Sequence, residues 1–196
     1  MAQSQLSVAS RKGLGKNDAR SLRREGLVPG VVYGKGLEPC GVAVEPKALK
    51  QAIATEAGWN TLITLQGDGP FDGKVVILKD MQVHPLRRQA IHLDFQAVDL
   101  GEKVNVMVPV HAIGKAKGEK LGGQMHIIRH ELEVVCLPAD IPTSINVDVT
   151  ELSIGDVVHI EDILLPAGVE VPHEVNFTVI TLTGHKAEEA GAAEGV

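Results

Sequence analysis

Apolar and polar positions alternate in short runs through most of this chain, the period of two that marks strands with one buried face. Leu6–Arg11 opens as a short strand, and Asn17 is placed to cap a helix over Asp18–Glu25, closed by Gly26 with Pro29 just beyond. Val31–Tyr33 and Gly41–Val44 read as strands separated by the turn residues Gly34, Lys35 and Gly36. Glu45 and Pro46 open a second helix to about Glu56, because proline tolerates the first helical turn. Thr61–Leu65 and Lys74–Gln82 pair around the turn-forming run from Gly67 to Pro70, and Ala90–Phe95 follows the turn at His84 and Pro85. Five or six strands with two helices predict a small barrel rather than an open sheet.

A second strand-rich series begins near residue 98. Lys103–Ile113 carries Val104, Val106, Val108 and Val110 on one parity. A Gly/Lys loop, Gly114–Gly123, leads to one long predicted strand, Gln124–Leu137. Shorter strands are expected at Thr143–Val147, Val157–Ile160 and Asn176–Thr183. The closing residues 185–196 have too little apolar content to pack and are expected to be disordered. The expected class is mainly β: residues 1–97 a small β-barrel domain with two helices, residues 98–184 a second β-rich domain, and residues 185–196 a tail.

Composition sharpens this. Valine, isoleucine and threonine supply 46 of 196 residues, in keeping with strands. With only five aromatics, the chain is a poor candidate for stacking single-stranded bases. No apolar run can span a bilayer and the N-terminus has no hydrophobic signal core, so a protein that is not exported is expected. Cys40 and Cys136 form no CxxC pattern, which suits a reducing cytoplasm. The net charge of −6 conceals an asymmetry: residues 1–99 hold 13 Lys/Arg against 10 Asp/Glu, while residues 100–196 hold 6 against 15. A focal basic patch on an acidic body predicts a polyanion docked at one end, although a solvated charged face would read the same way.

The candidate chemistry lies in that basic end. At about 100° per residue, Lys16, Arg20, Arg23 and Arg24 share one arc of the first helix, while Asp18, Leu22 and Glu25 lie opposite. Arginine forks suit phosphate oxygens and base edges, and a helix start offers free backbone N–H groups. Gln82 shares a strand parity with His84, and His92 with Asp94, so each run lines polar groups along one face, suited to base edges or ribose 2′-hydroxyls. The run from Gly13 to Lys16 lacks the first glycine and the Ser/Thr of a nucleotide-binding P-loop. His126 and His130 have no third ligand beside them, and no nucleophile–base set exists, so neither metal nor cofactor nor enzyme activity is expected.

These residues resemble a known family. Arg11, Lys12, Gly15, Lys16, Arg20, Leu22 and Arg23, followed by the run Val28–Gly34, are similar to the opening of the bacterial large-subunit ribosomal protein twenty-five family. The runs Asp80–Pro85 and His92–Phe95 match its closing motifs. The second half resembles the extension of its long form, the general stress protein Ctc type, through Gly118, Gly122, Gly123, the run Val135–Pro142, Ile154–Asp156 and Leu165–Val169. The resemblance implies a structural protein of the large ribosomal subunit in the cytoplasm. It implies binding of 5S rRNA by the N-terminal barrel, in the widened minor groove of an irregular internal loop. Carried over by position, it implies RNA contacts at Arg11, Lys16, Arg20, Arg23, Tyr33, Gln82, His92 and Asp94, with neighbouring ribosomal proteins as further partners of the C-terminal domain. Ala19 stands where some members have an RNA-contacting serine, and Asn17 and Asp18 replace small residues, so Asp18 must point away from phosphate. The two alternatives are a tRNA-binding module of an enzyme and a β-rich protein–protein interaction module of a stress response. An ATP- or amino-acid-binding motif would mark the first, and none is present.

Overall fold

The computed structural model describes residues 3–11, 13, 15–55, 57–172 and 175–184. Six strands close into a barrel: β1 (Gln3–Ser10), β2 (Val28–Gly34), β3 (Leu37–Val44), β4 (Leu62–Gln66), β5 (Val75–Val83) and β6 (Ala90–Ala97), in the order β1-β3-β2-β6-β5-β4. Two parallel pairings complete the ring, β1 with β4 and β2 with β6; the others are antiparallel. Two helices decorate it, α1 (Lys16–Arg24) and α2 (Pro46–Ile53). The inward residues are those of the alternating pattern: Leu6, Val32, Val42, Ile63, Leu65, Val76, Leu93 and Phe95 are almost fully buried, with Leu49 of α2 and Phe71 of the β4–β5 turn.

Close approach of β2 and β6 requires glycine at two points of their ladder, Gly30 and Gly34, of which Gly34 is the tighter. The β2–β6 register sets Gly34 against Ala97, and a methyl group on Gly34 would lie 2.7 Å from the Ala97 carbonyl oxygen.

The strand boundaries extend beyond the pattern by a few residues, because ladder hydrogen bonds continue past the alternating core positions. Two expectations are corrected. Helix α1 starts at Lys16 with Gly15 as its N-cap and no side-chain cap, so Asn17 lies inside the first turn. The long strand Gln124–Leu137 is two strands in different sheets, β8 (Gln124–Ile127) and β9 (Glu131–Cys136). The reason lies in parity: Met125 and Ile127 are half-buried, whereas Leu132, Val134 and Cys136 are buried. One continuous strand cannot turn odd residues inward at one end and even residues at the other. The backbone N–H groups of Ile128 and Arg129 both go to the Val179 carbonyl, and the His130 carbonyl then accepts from Val110.

The rest of the chain forms two further sheets. The first has the order β10-β7-β9, with β7 (Val104–Ile113) and β10 (Ile145–Asp148). On β7 the predicted parity holds, and Val104, Val106, Val108 and Val110 are all buried. The second has the order β11-β12-β8, with β11 (Val157–His159) and β12 (Thr178–Thr183). The expected loop 114–123 contains one short helix, α3 (Lys117–Lys120). Two compact units emerge: one takes Met1–Val108, Glu133–Thr143 and Ala167–Glu170, the other Pro109–Leu132, Ser144–Pro166 and Val171–Val196. The expected tail, 185–196, lies outside the described residues. Cys40 and Cys136 are free thiols, and no described helix is long and apolar enough to cross a membrane.

Closure at Gly34 is testable. Gly34→Ala is expected to lower the unfolding free energy by about 1–3 kcal/mol through overpacking, read as a lower urea midpoint. Gly101→Ala, where nothing lies within 4 Å, should stay within about 0.5 kcal/mol. Equal midpoints for the two variants would show that β6 yields freely.

Candidate nucleic-acid interface

Helix α1 buries none of its nine residues. It is short for an isolated helix, so its order depends on how its ends are tied. At the start, Ala19 N–H bonds to the Gly15 carbonyl, and Asp18 in the first turn meets the positive end of the helix dipole. At the end, Gly26 takes a φ of 85° and Leu27 N–H returns to the Leu22 carbonyl. The third tie is a side chain. Arg23 Nε donates to the Ile91 carbonyl at 3.1 Å, at a bulge where Gln82 pairs with His92 but Val83 pairs with Ala90. Lys16, Arg20 and Arg24 remain exposed, with no ion pair or hydrogen bond among the described side chains. Arg11, just after β1, donates from Nη2 to the Gly30 carbonyl at 3.4 Å, and its buried Nε has no partner among the described residues.

Strands β2, β6 and β5 are neighbours, and their outward positions make one polar face. Tyr33 lies opposite Gln96, one register step from the pairing of Val32 with Phe95. Gln82 faces His92 and Asp80 faces Asp94 across the β5–β6 ladder. A bulge at Lys79 turns Asp80 outward although Leu78, of the same parity, points to the core. The His92 Nδ1 and Asp94 Oδ1 atoms are 2.7 Å apart, with both side chains about two-thirds covered (27% and 35% exposed). This carboxylate fixes the imidazole with its proton on Nδ1, leaving Nε2 as an acceptor in the neutral ring. Burial pushes the Tyr33 phenol above its ordinary value, and the Asp94 and Asp80 carboxylates push it further, so it stays a neutral O–H.

The structure thus gathers Tyr33, Gln82, His92 and Asp94 on one sheet face, and ties Arg23 to β6 and Arg11 to β2. Lys16 and Arg20 stand apart on α1 with no bond to the sheet. Asp80 is the residue that sequence reasoning passed over. It shares parity with Gln82 on the polar face and also with buried Leu78, and the bulge at Lys79 lets one strand hold both orientations. His84, by contrast, serves the β5–β6 turn: its Nδ1 accepts from the backbone N–H groups of Leu86 and Arg87, each at 3.3 Å. Among the described residues no group of His, Cys, Asp and Glu side chains is arranged to hold a metal ion.

A cationic helix beside a sheet face of amide, imidazole, phenol and carboxylate groups suits a structured nucleic acid, with phosphates on one element and base or ribose edges on the other. Two family models cover nearly the whole chain: residues 6–95 match the Ribosomal L25p family, and residues 103–186 match the C-terminal domain of ribosomal protein TL5. The large ribosomal subunit protein bL25 of Syntrophotalea carbinolica is 62% identical over 96% of this chain and 90% of its own length. The chain belongs to the bL25 family. The bL25 proteins of Geobacter sulfurreducens and Geobacter metallireducens are 46% and 44% identical, covering 99% and 100% of this chain and 100% of their own lengths. Both halves match along a single relative, so this is a two-part bL25 chain rather than a barrel with an unrelated extension.

The polar face makes its own prediction. Tyr33 is the only tyrosine in the chain, so ultraviolet absorbance reports its titration alone. The folded protein should titrate above the ordinary value of 10.0. Because a nearby negative charge disfavours phenolate, replacing Asp94 and Asp80 together by Asn should lower that midpoint. It should remain above the ordinary value, since burial is the larger cause. An unchanged midpoint in the double variant would show that the two carboxylates do not face the phenol.

Proposed function

We propose that this protein binds 5S rRNA through its barrel, with α1 on phosphates and the β2-β6-β5 face reading base edges or 2′-hydroxyls. Family membership makes it a non-enzymatic, structural protein of the large ribosomal subunit, acting on the cytoplasmic ribosome. That sets aside the reading as a tRNA-binding module of an enzyme. The observation that carries the finer proposal is the His92–Asp94 pair at 2.7 Å beside Gln82. A carboxylate placed on a surface that meets a polyanion has a use only if it accepts a specific hydrogen bond or fixes a neighbour that does.

The assignment is residue by residue. Lys16 and Arg20, exposed and without a partner among the described residues, meet phosphates. Arg23 keeps its terminal nitrogens for RNA while Nε holds the Ile91 carbonyl. Arg11, held by its Nη2 on the Gly30 carbonyl, offers the remaining outer edge of its guanidinium to phosphate. Tyr33 donates its hydroxyl, and Gln82, His92 and Asp94 provide readout. All eight lie within residues 1–97, proposed as the RNA-binding domain, with 98–184 as a second domain. That acidic second part has the charge to meet basic neighbouring ribosomal proteins.

Two measurements test this. Binding to 5S rRNA should weaken with salt, with a slope of log K against log salt of roughly −3 to −4 if about four or five phosphates are neutralised. Lys16→Ala should flatten that slope by about one unit and weaken binding to any RNA. A flat salt response would mean that α1 does not meet phosphate.

Asp94→Ala separates recognition from attraction. Simple electrostatics predicts tighter binding once a negative charge leaves. Recognition predicts that 5S rRNA affinity falls by about 1–3 kcal/mol, as for a good base contact, with little change toward unrelated RNA. A folded Asp94→Ala protein that binds 5S rRNA as well as the parent removes that carboxylate from the site.

A further inference from the structure

The β5–β6 ribbon has two faces, and only one carries Gln82, His92 and Asp94. On the other, the end of α1, α2 and the ribbon enclose a groove of about 510 Å³. Its floor is aliphatic: Leu49 and Ile53 of α2, Met81 and Val83 of β5, and Ile91 at the bulge. Val83 is 42% exposed there, an apolar side chain with nothing packed over it. Four cations stand around this floor, Arg23, Lys50, Arg87 and Arg88, and no Asp or Glu is among the described lining residues. None of the four has an ion-pair partner among the described residues. The two arginines of the turn are held in place: the His84 ring caps it, Arg88 N–H bonds to the His84 carbonyl at 2.8 Å, and Arg88 alone among described non-glycine residues adopts a positive φ, 51°. Such a conformation in a residue with a side chain is held only where its surroundings enforce it.

We infer that this groove docks a polypeptide segment with aliphatic anchors flanked by Asp or Glu, on the side of the ribbon away from the polar face. Charge complementarity selects an anionic occupant. The floor selects a peptide over RNA: it offers aliphatic side chains and no Phe, Tyr or Trp among its described lining residues, and its one imidazole, His84, is engaged in capping the turn. An amphipathic helix or a strand laid in the groove buries its apolar side on Met81, Val83 and Ile53 while its carboxylates meet the cationic rim. Arg23 is common to this rim and to the proposed RNA contacts of α1, whereas Lys50, Arg87, Arg88 and the aliphatic floor belong to the groove alone.

The test uses the full chain and a fluorescein-labelled amphipathic peptide of leucine and glutamate, followed by anisotropy. Two control peptides replace every leucine by serine or every glutamate by lysine. The leucine–glutamate peptide is expected to bind, and each control to bind at least about tenfold more weakly. Lys50→Glu with Arg87→Glu, both at exposed positions, should weaken the peptide at least about tenfold, and Val83→Gln should weaken it without a change in charge. Asp94→Ala should leave it unchanged. Thermal melts establish that each variant is folded. The inference fails if the leucine–glutamate peptide does not bind, or if the serine peptide binds as well, which would mean charge attraction alone. It also fails if Lys50→Glu with Arg87→Glu costs affinity for 5S rRNA but not for peptide, which would give the groove to RNA. Self-association of the unlabelled chain that Lys50→Glu abolishes would give it to a second copy and equally overturn the inference.

Discussion

The parallel pairing of β2 with β6 is the constraint on which the rest of this structure depends. It joins strands some 60 positions apart in the chain, from Gly30 against Leu93 to Gly34 against Ala97, and with the β1–β4 pairing it turns an open sheet into a closed one. Long-range pairing of this kind brings late sequence beside early sequence. Without it, Tyr33 would not lie near Asp94, and Arg23 would have no Ile91 carbonyl to hold. The polar face and the seating of α1 are both products of barrel closure. A residue such as Gly34, with no functional group, therefore affects the interface as directly as those that line it.

The face solves an electrostatic difficulty by dividing labour. Two carboxylates, Asp80 and Asp94, sit on a surface proposed to meet a polyanion, and each repels phosphate. The cations proposed to meet phosphate lie on α1, separate from those acids. In the proposed complex attraction and reading are carried by different elements, and the repulsive groups steer phosphates toward the helix rather than over the sheet. His92 belongs to the reading side: its Nδ1 is occupied by Asp94, which leaves its other nitrogen facing outward.

Much of this was legible in the sequence, and the gaps have a common cause. Alternation located the strands, the arc of Lys16, Arg20, Arg23 and Arg24 marked the cationic face, and Val104 to Val110 identified the buried side of β7. What failed was counting by two across an irregularity. The bulge at Ile91 opened a carbonyl for Arg23, and the change of parity after Ile127 divided one predicted strand into two. Each was written in the sequence only as a break in rhythm, and a break has no direction until a partner strand supplies it. The start of α1 was missed for a different reason: Asn17 is a favourable cap by residue type, but Gly15 reached that position first, and local preference yields to the path of the chain. The basic groove behind the ribbon was beyond reach, since it depends on which strands become neighbours.

Helix α1 has one further consequence. With nine residues, none buried, it is held by its closed ends and by one arginine bonded to the barrel rather than by a packed face. Its folded form therefore has little apolar contact to oppose its conformational entropy. A polyanion that neutralises its row of bases removes the mutual repulsion of those charges and supplies the contacts that packing does not. The helix then behaves as an adaptable clamp whose final ordering is completed by its target, so that binding strength and helix stability become one thermodynamic quantity, rising and falling together with ionic strength and temperature.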